Sequence, residues 1–239
     1  MSTPAQAKKL DALIKRLAGE YPETPGAGAT PAPPEGADPI VHELLYAFML
    51  WEAGPKLAGG ALGAIQGEFV DYNEARIGMS DEIAELLPKR YPLAQERCQR
   101  LRASLNAVFK REHALSLASL GEMSKRDSRA ALDSLEGMTP FVASRVTLLG
   151  LGAHTFPVDA RLVEVLAEAG ACDAEEAADA VASRLERHFR AGQAAPAYLL
   201  LECAEARPSK KSKGAGRNAS SPASRTKGAR ASRSRTSAS

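Results

Sequence analysis

Apolar residues recur along most of this chain at intervals of three and four, and strict two-residue alternation is nearly absent. A chain whose amphipathic faces are helical buries them helix on helix, so the pattern predicts an all-α fold of about ten helices with short joints. In Lys8–Leu17, the residues Leu10, Leu13, Ile14 and Leu17 form one stripe, a short docking helix. Residues 21–38 are rich in proline and glycine, carry no periodic face, and read as an extended connector. From Pro39 to Glu52 a largely apolar helix, with Leu44, Leu45, Phe48, Met49 and Trp51, is predicted to run through the core. Further starts are marked by Ser80, Pro92, Ser124, Pro140 and Asp173, the last opening a helix to about Arg190. A final apolar helix, APAYLLLECAEA, precedes Pro208. No internal repeat suggests a solenoid.

Several function classes are disfavoured by the same letters. The longest apolar run, Leu44 to Trp51, falls far short of the roughly 20 residues of a membrane helix, so no membrane partner is expected. The start, MSTPAQAKKL, has no apolar stretch behind its lysines, and the expected compartment is the cytoplasm. Cys98, Cys172 and Cys203 are odd in number and scattered, which argues against a disulfide framework and rules out four-cysteine metal ligation within one chain. No metal site is predicted.

The net charge of +2 conceals segregation. Residues 207–239 hold ten basic residues and no acid, leaving 21 Lys and Arg against 29 Asp and Glu in residues 1–206. The tail has no large apolar residue to bury and is expected to be disordered. Its spaced cations, Lys210, Lys211 and Lys213 among them, can neutralise phosphates and give salt-sensitive affinity for nucleic acid. A solubility tail, or one drawn to any polyanion, is the other reading.

The most informative stretch is RAALDSLEGMTPFVASRVTLLGLGAHTFPVDARLVEV, Arg129 to Val165. A helix ends at Leu135, the turn Glu136-Gly137-Met138-Thr139 follows, and Pro140 opens a second helix, a helix–hairpin–helix within 124–150. Gly137 supplies backbone freedom and Thr139 can cap the second helix, whose first amides would point outward as a phosphate cradle. A plain corner between packed helices is the alternative.

LEGMTPFVAS resembles the hairpin of the endonuclease III-like, helix–hairpin–helix DNA glycosylase superfamily. FPVDARLVEV resembles that family's valine–aspartate element, KKLDALIKRLAGEYPETPGAG its N-terminal helix and connector, and PIVHELLYAFMLWEAG the helix before its lesion-probing loop. The resemblance implies two helical lobes, one spanning residues 39–153 and one joining 1–20 to 154–206, with double-stranded DNA between them and the tail (207–239) outside. It implies base excision on a flipped nucleotide, with Asp159 as the catalytic carboxylate that stabilises a cationic sugar.

Phe141 stands where bifunctional relatives carry a lysine, so a monofunctional N-glycosylase without a Schiff-base lyase step is implied. Gly137, Met138, Thr139, Arg145 and Arg161 become the expected DNA contacts, and Trp51, Glu52, Phe141 and His154 the expected base pocket. No cofactor and no iron–sulfur cluster is expected, Cys203 standing alone where the cluster loop would begin, although a monovalent cation at the hairpin is compatible. The expected protein is a monomer associated with the nucleoid. Thr139-Pro140 and the Trp51-Glu52-Ala53-Gly54 loop depart from the family pattern. They keep open a non-catalytic duplex-binding protein, or an all-α interaction domain with a DNA-binding tail.

Overall fold

Capping chemistry sets the first boundary. Thr3 Oγ1 accepts the Gln6 amide at 3.3 Å while Gln6 Oε1 accepts the Thr3 amide at 3.0 Å, and Pro4 opens α1 (Pro4–Glu20) in the one turn that needs no amide from it. Leu10, Leu13 and Leu17 are its buried stripe, as the spacing predicts. The computed structural model describes residues 3–22 and 30–205. The expected tail contacts Lys210, Lys211 and Lys213, and connector residues 23–29, lie outside the described residues.

Ten further α-helices follow among the described residues: α2 (Pro39–Leu50), α3 (Pro55–Glu68), α4 (Tyr72–Ile77), α5 (Ser80–Glu85), α6 (Ala94–Glu112), α7 (Lys125–Asp133), α8 (Pro140–Arg145), α9 (Ala160–Glu168), α10 (Ala178–His188) and α11 (Ala191–Glu205). A 3₁₀ turn lies at Ala118–Glu122 and a π turn at Val146–Gly150, and no strand occurs among the described residues. Three starts differ from expectation: α11 begins at Ala191, four residues ahead of APAYLLLECAEA, with Pro196 inside its first two turns, and the other two are α6 and α10. α6 begins at Ala94 rather than Pro92 because Leu93 stands in the left-handed region at φ 51. α10 begins at Ala178, since the Glu176 amide folds back on the Asp173 carbonyl at 3.1 Å and uses residues 173–176 as a turn.

The helices bury two cores. In the first, Val41–Leu50 of α2 are all buried, surrounded by Leu62 and Ile65 of α3, Ile83 of α5, Leu101 and Leu105 of α6, Leu132 of α7 and Val142 of α8. The second gathers the α1 stripe, Phe156, Leu162 and Leu166 of α9, Val181 and Leu185 of α10, and Tyr198 and Leu201 of α11. The π turn spans both, with Val146 in the first core and Leu148 in the second. The architecture is all-α, as the periodicity predicts, and two-lobed, as the resemblance implies.

Arg145 corrects an expectation. It is 0% exposed and therefore cannot meet a phosphate. Its Nε donates to Glu43 Oε1 at 2.6 Å, Nη1 to Tyr198 Oη at 2.7 Å and to Glu202, and Nη2 to Thr30 Oγ1 at 3.2 Å. Burial opposes its charge, but Tyr198, Glu43 and Glu202 hold the guanidinium well above its ordinary pKa. Arg145 therefore ties α8, α2 and α11 together.

Candidate functional site

The hairpin turn is shaped by α6. Gly137 has φ 83, and a Cβ there would drive into the Arg100 backbone, whose Cα would lie 3.0 Å away. Ser104 Oγ donates to the Glu136 carbonyl at 2.8 Å, pinning the same turn. Thr139 caps α8, its Oγ1 accepting the Val142 amide at 3.3 Å. Of the first amides of α8, Pro140 has none and the Val142 and Ala143 amides are already bonded to Thr139. Met138 packs partly against the first core, and Phe141 is only 5% exposed within it, so Phe141 fills the core rather than lining an open pocket.

Asp159 lies where the lobes meet. It caps α9, Oδ1 accepting the Leu162 amide at 3.0 Å, while Oδ2 accepts the Glu52 amide from the first lobe at 2.8 Å. In return Glu52 Oε1 accepts the Ala160 amide at 3.0 Å. The pair forms a reciprocal clasp between the loop after α2 and the start of α9. Asp159 is 4% exposed; burial pushes its carboxyl above the usual range, against the pull of the Glu52 and Leu162 amides and Arg161. Burial also raises Glu52, the Ala160 amide opposes the rise, and the Asp159 charge adds to it.

The loop is built to make this contact. Glu52 sits at φ 57, and the Ala53 and Gly54 amides return to the Leu50 carbonyl at 2.9 and 3.1 Å. Gly54 has φ 84, and a Cβ there would meet Arg161 Nη2 at 2.8 Å, so glycine lets the guanidinium lie across the loop. Arg161 Nη2 also reaches the Glu205 carbonyl at 3.3 Å, and its Nε is buried without a partner among the described residues. Trp51 is half-buried, its ring flanked by the Arg97 and Arg100 guanidinium carbons at 5.6 and 5.9 Å from the centroid. Arg100 thus touches both the hairpin turn and the loop.

Of the expected site residues, the structure joins Asp159, Glu52, Arg161 and, through Arg100, Trp51 and Gly137. His154 is instead exposed and donates from Nε2 to the Glu186 carbonyl at 2.9 Å on α10. Two functional residues escaped the sequence reading. Arg97, fully buried, donates to the carbonyls of Phe48, Trp51 and Pro92 and fixes the loop. Its signal was a cation on the stripe 97–101–104–108. Glu205 is buried on α11, and burial, Asp159 and Glu202 raise its carboxyl well above the usual range. An acid repeated at a three-residue interval, Glu202 and Glu205, in a strongly apolar helix was its signal.

No group of three or more His, Cys, Asp or Glu among the described residues is arranged to hold a metal. The thiols do not fit a cluster either: Cys98 lies in the first core, Cys172 in the second and Cys203 on α11. Two amides thus fix the Asp159 carboxyl at the lobe junction, and a carboxyl so held can, when ionised, stabilise a cation that forms beside it.

No protein-family model matches the sequence, and no curated protein does. Solved structures match its fold. A trapped endonuclease III–DNA covalent intermediate superposes with a TM-score of 0.60 at 12% identity, covering 84% of this chain and 85% of the other. A thermostable thymine-DNA glycosylase gives 0.55 at 18% identity over 87% and 93% of the two chains. The Clostridium acetobutylicum 8-oxoguanine glycosylase/lyase with double-stranded DNA gives 0.58 at 15% identity over 85% and 70%. The two-lobed, helix–hairpin–helix fold of this chain is the fold of these endonuclease III and glycosylase structures.

Proposed function

We propose that the protein is a DNA base-excision enzyme, a monofunctional N-glycosylase that hydrolyses a base–sugar bond in duplex DNA. The observation that carries this reading is the buried Asp159 carboxylate, fixed at the lobe junction by amides from both lobes, in a fold shared with glycosylases crystallised on DNA. Breaking the glycosidic bond leaves positive charge on the sugar, and a stationary carboxylate lowers the cost of that charge. Phe141 offers no amine for a Schiff base, so the product is an intact abasic strand. Duplex DNA is the partner, approached by the Gly137 turn and Arg161, with the basic tail adding salt-sensitive hold.

One observation favours a second reading, a non-catalytic duplex-binding protein: Pro140 and the Thr139 cap leave few amides at the hairpin for phosphate. Single-turnover base release decides between them. Duplexes carrying uracil, alkylated, oxidised or mismatched bases are incubated with wild type and Asp159→Asn, and alkali is added afterwards. The expected outcome is abasic sites that break only in alkali, reduced by at least about 10²-fold in Asp159→Asn. Binding without release on every duplex supports the second reading instead.

A further inference from the structure

Asp159 is poorly placed to move a proton. Each of its oxygens accepts a backbone amide, and a proton on either would weaken the bond which that oxygen accepts. Hydrolysis still requires a group that takes the proton of the attacking water. Glu52 differs in the relevant respects. Its side chain is half-buried, Oε1 is held by the Ala160 amide, and Oε2 accepts no hydrogen bond among the described residues. Its backbone stands at φ 57, an unusual state for a non-glycine residue, and the peptide that enters it is held at both ends, the Trp51 carbonyl by Arg97 and the Glu52 amide by Asp159.

We infer that Glu52 is the proton-transfer carboxylate of this site and Asp159 its stationary counter-charge, an assignment that rests on the glycosylase reading above. In the step, the water oxygen bonds to the sugar C1′ as its proton passes to Glu52 Oε2. The C1′–N bond breaks, its electron pair leaves on the base nitrogen, and that nitrogen takes a proton from solvent. Glu52 then returns its proton to solvent. Water is the only co-reactant. The charged groups facing Glu52 are Asp159 and Arg161 at the start of α9 and Arg97 from α6. Burial and Asp159 move its titration upward, towards the range in which a carboxylate serves as a base.

The test is single-turnover base release by the full chain on the same duplexes, from about pH 4 to about pH 9, for wild type, Glu52→Gly, Glu52→Gln and Asp159→Asn. Glycine favours the left-handed backbone and keeps the amide on Asp159, and Gln keeps an acceptor for Ala160. Glu52→Gln is expected to unfold thermally with wild type and Glu52→Gly, which removes the acceptor of the Ala160 amide, slightly below it, while both lose roughly 10²- to 10⁴-fold in rate and the acid limb of the rate–pH profile. Wild-type rate and profile in both Glu52 variants, beside an inactive Asp159→Asn, would overturn the assignment and leave the glycosylase reading standing. Silence of the wild type on every duplex overturns both.

Discussion

Asp38 carries four hydrogen bonds on one carboxylate. Oδ1 accepts the Ile40 and Val41 amides at 2.8 and 3.0 Å, capping α2, and Oδ2 accepts Ser116 Oγ at 2.6 Å and the Leu117 amide at 3.1 Å. Burial alone would raise its pKa, but these bonds outweigh it and hold the carboxyl below the usual range. The folded state thus binds the Asp38 proton more weakly than the unfolded chain, so the stabilisation is full above the ordinary carboxylate pKa and is lost as pH falls through the lowered one. Asp38→Ala is expected to cost about 2 kcal/mol in urea unfolding at neutral pH, with the gap to wild type narrowing below about pH 4. An unchanged gap in acid would show that the ionised form is not what the fold selects.

The hairpin is the element where the sequence was most legible. Gly137, Thr139 and Pro140 announced a turn, a cap and a helix start, and each performs that role. The sequence did not announce that α6 forms the floor of the turn, because the contact is to the Arg100 backbone, which has no side-chain signature. Gly137→Ala is accordingly expected to lose more than about 1 kcal/mol of stability, combining a left-handed alanine with a backbone clash, and to weaken duplex binding by gel shift. Arg145 was misjudged for a related reason. Its place near a hairpin suggested phosphate, whereas the apolar letters on both sides of it, and Glu43 and Glu202 in equally apolar helices, spelled a buried ion network. Asp159 was legible as a cap and as a family aspartate, but its partner Glu52, 107 positions away, becomes a neighbour only after both lobes have folded.

At the scale of the whole molecule, Arg145 holds the lobes together where the Glu52–Asp159 clasp does. Replacing it with alanine strands Glu43 and Glu202 in a dry interior, at an expected cost of about 3–5 kcal/mol in denaturant unfolding. The triple change Arg145→Met, Glu43→Met, Glu202→Leu is expected to recover most of that loss, because the penalty lies in charges left alone rather than in the absence of the pair. The clasp has a different kind of dependence. The donor on Asp159 Oδ2 is a main-chain amide, specified by the path of the chain between Leu50 and Gly54 and not by the identity of residue 52. What descent must preserve there is the count of residues: adding or removing one would turn the amide away from the aspartate, while many changes of spelling would leave it in place.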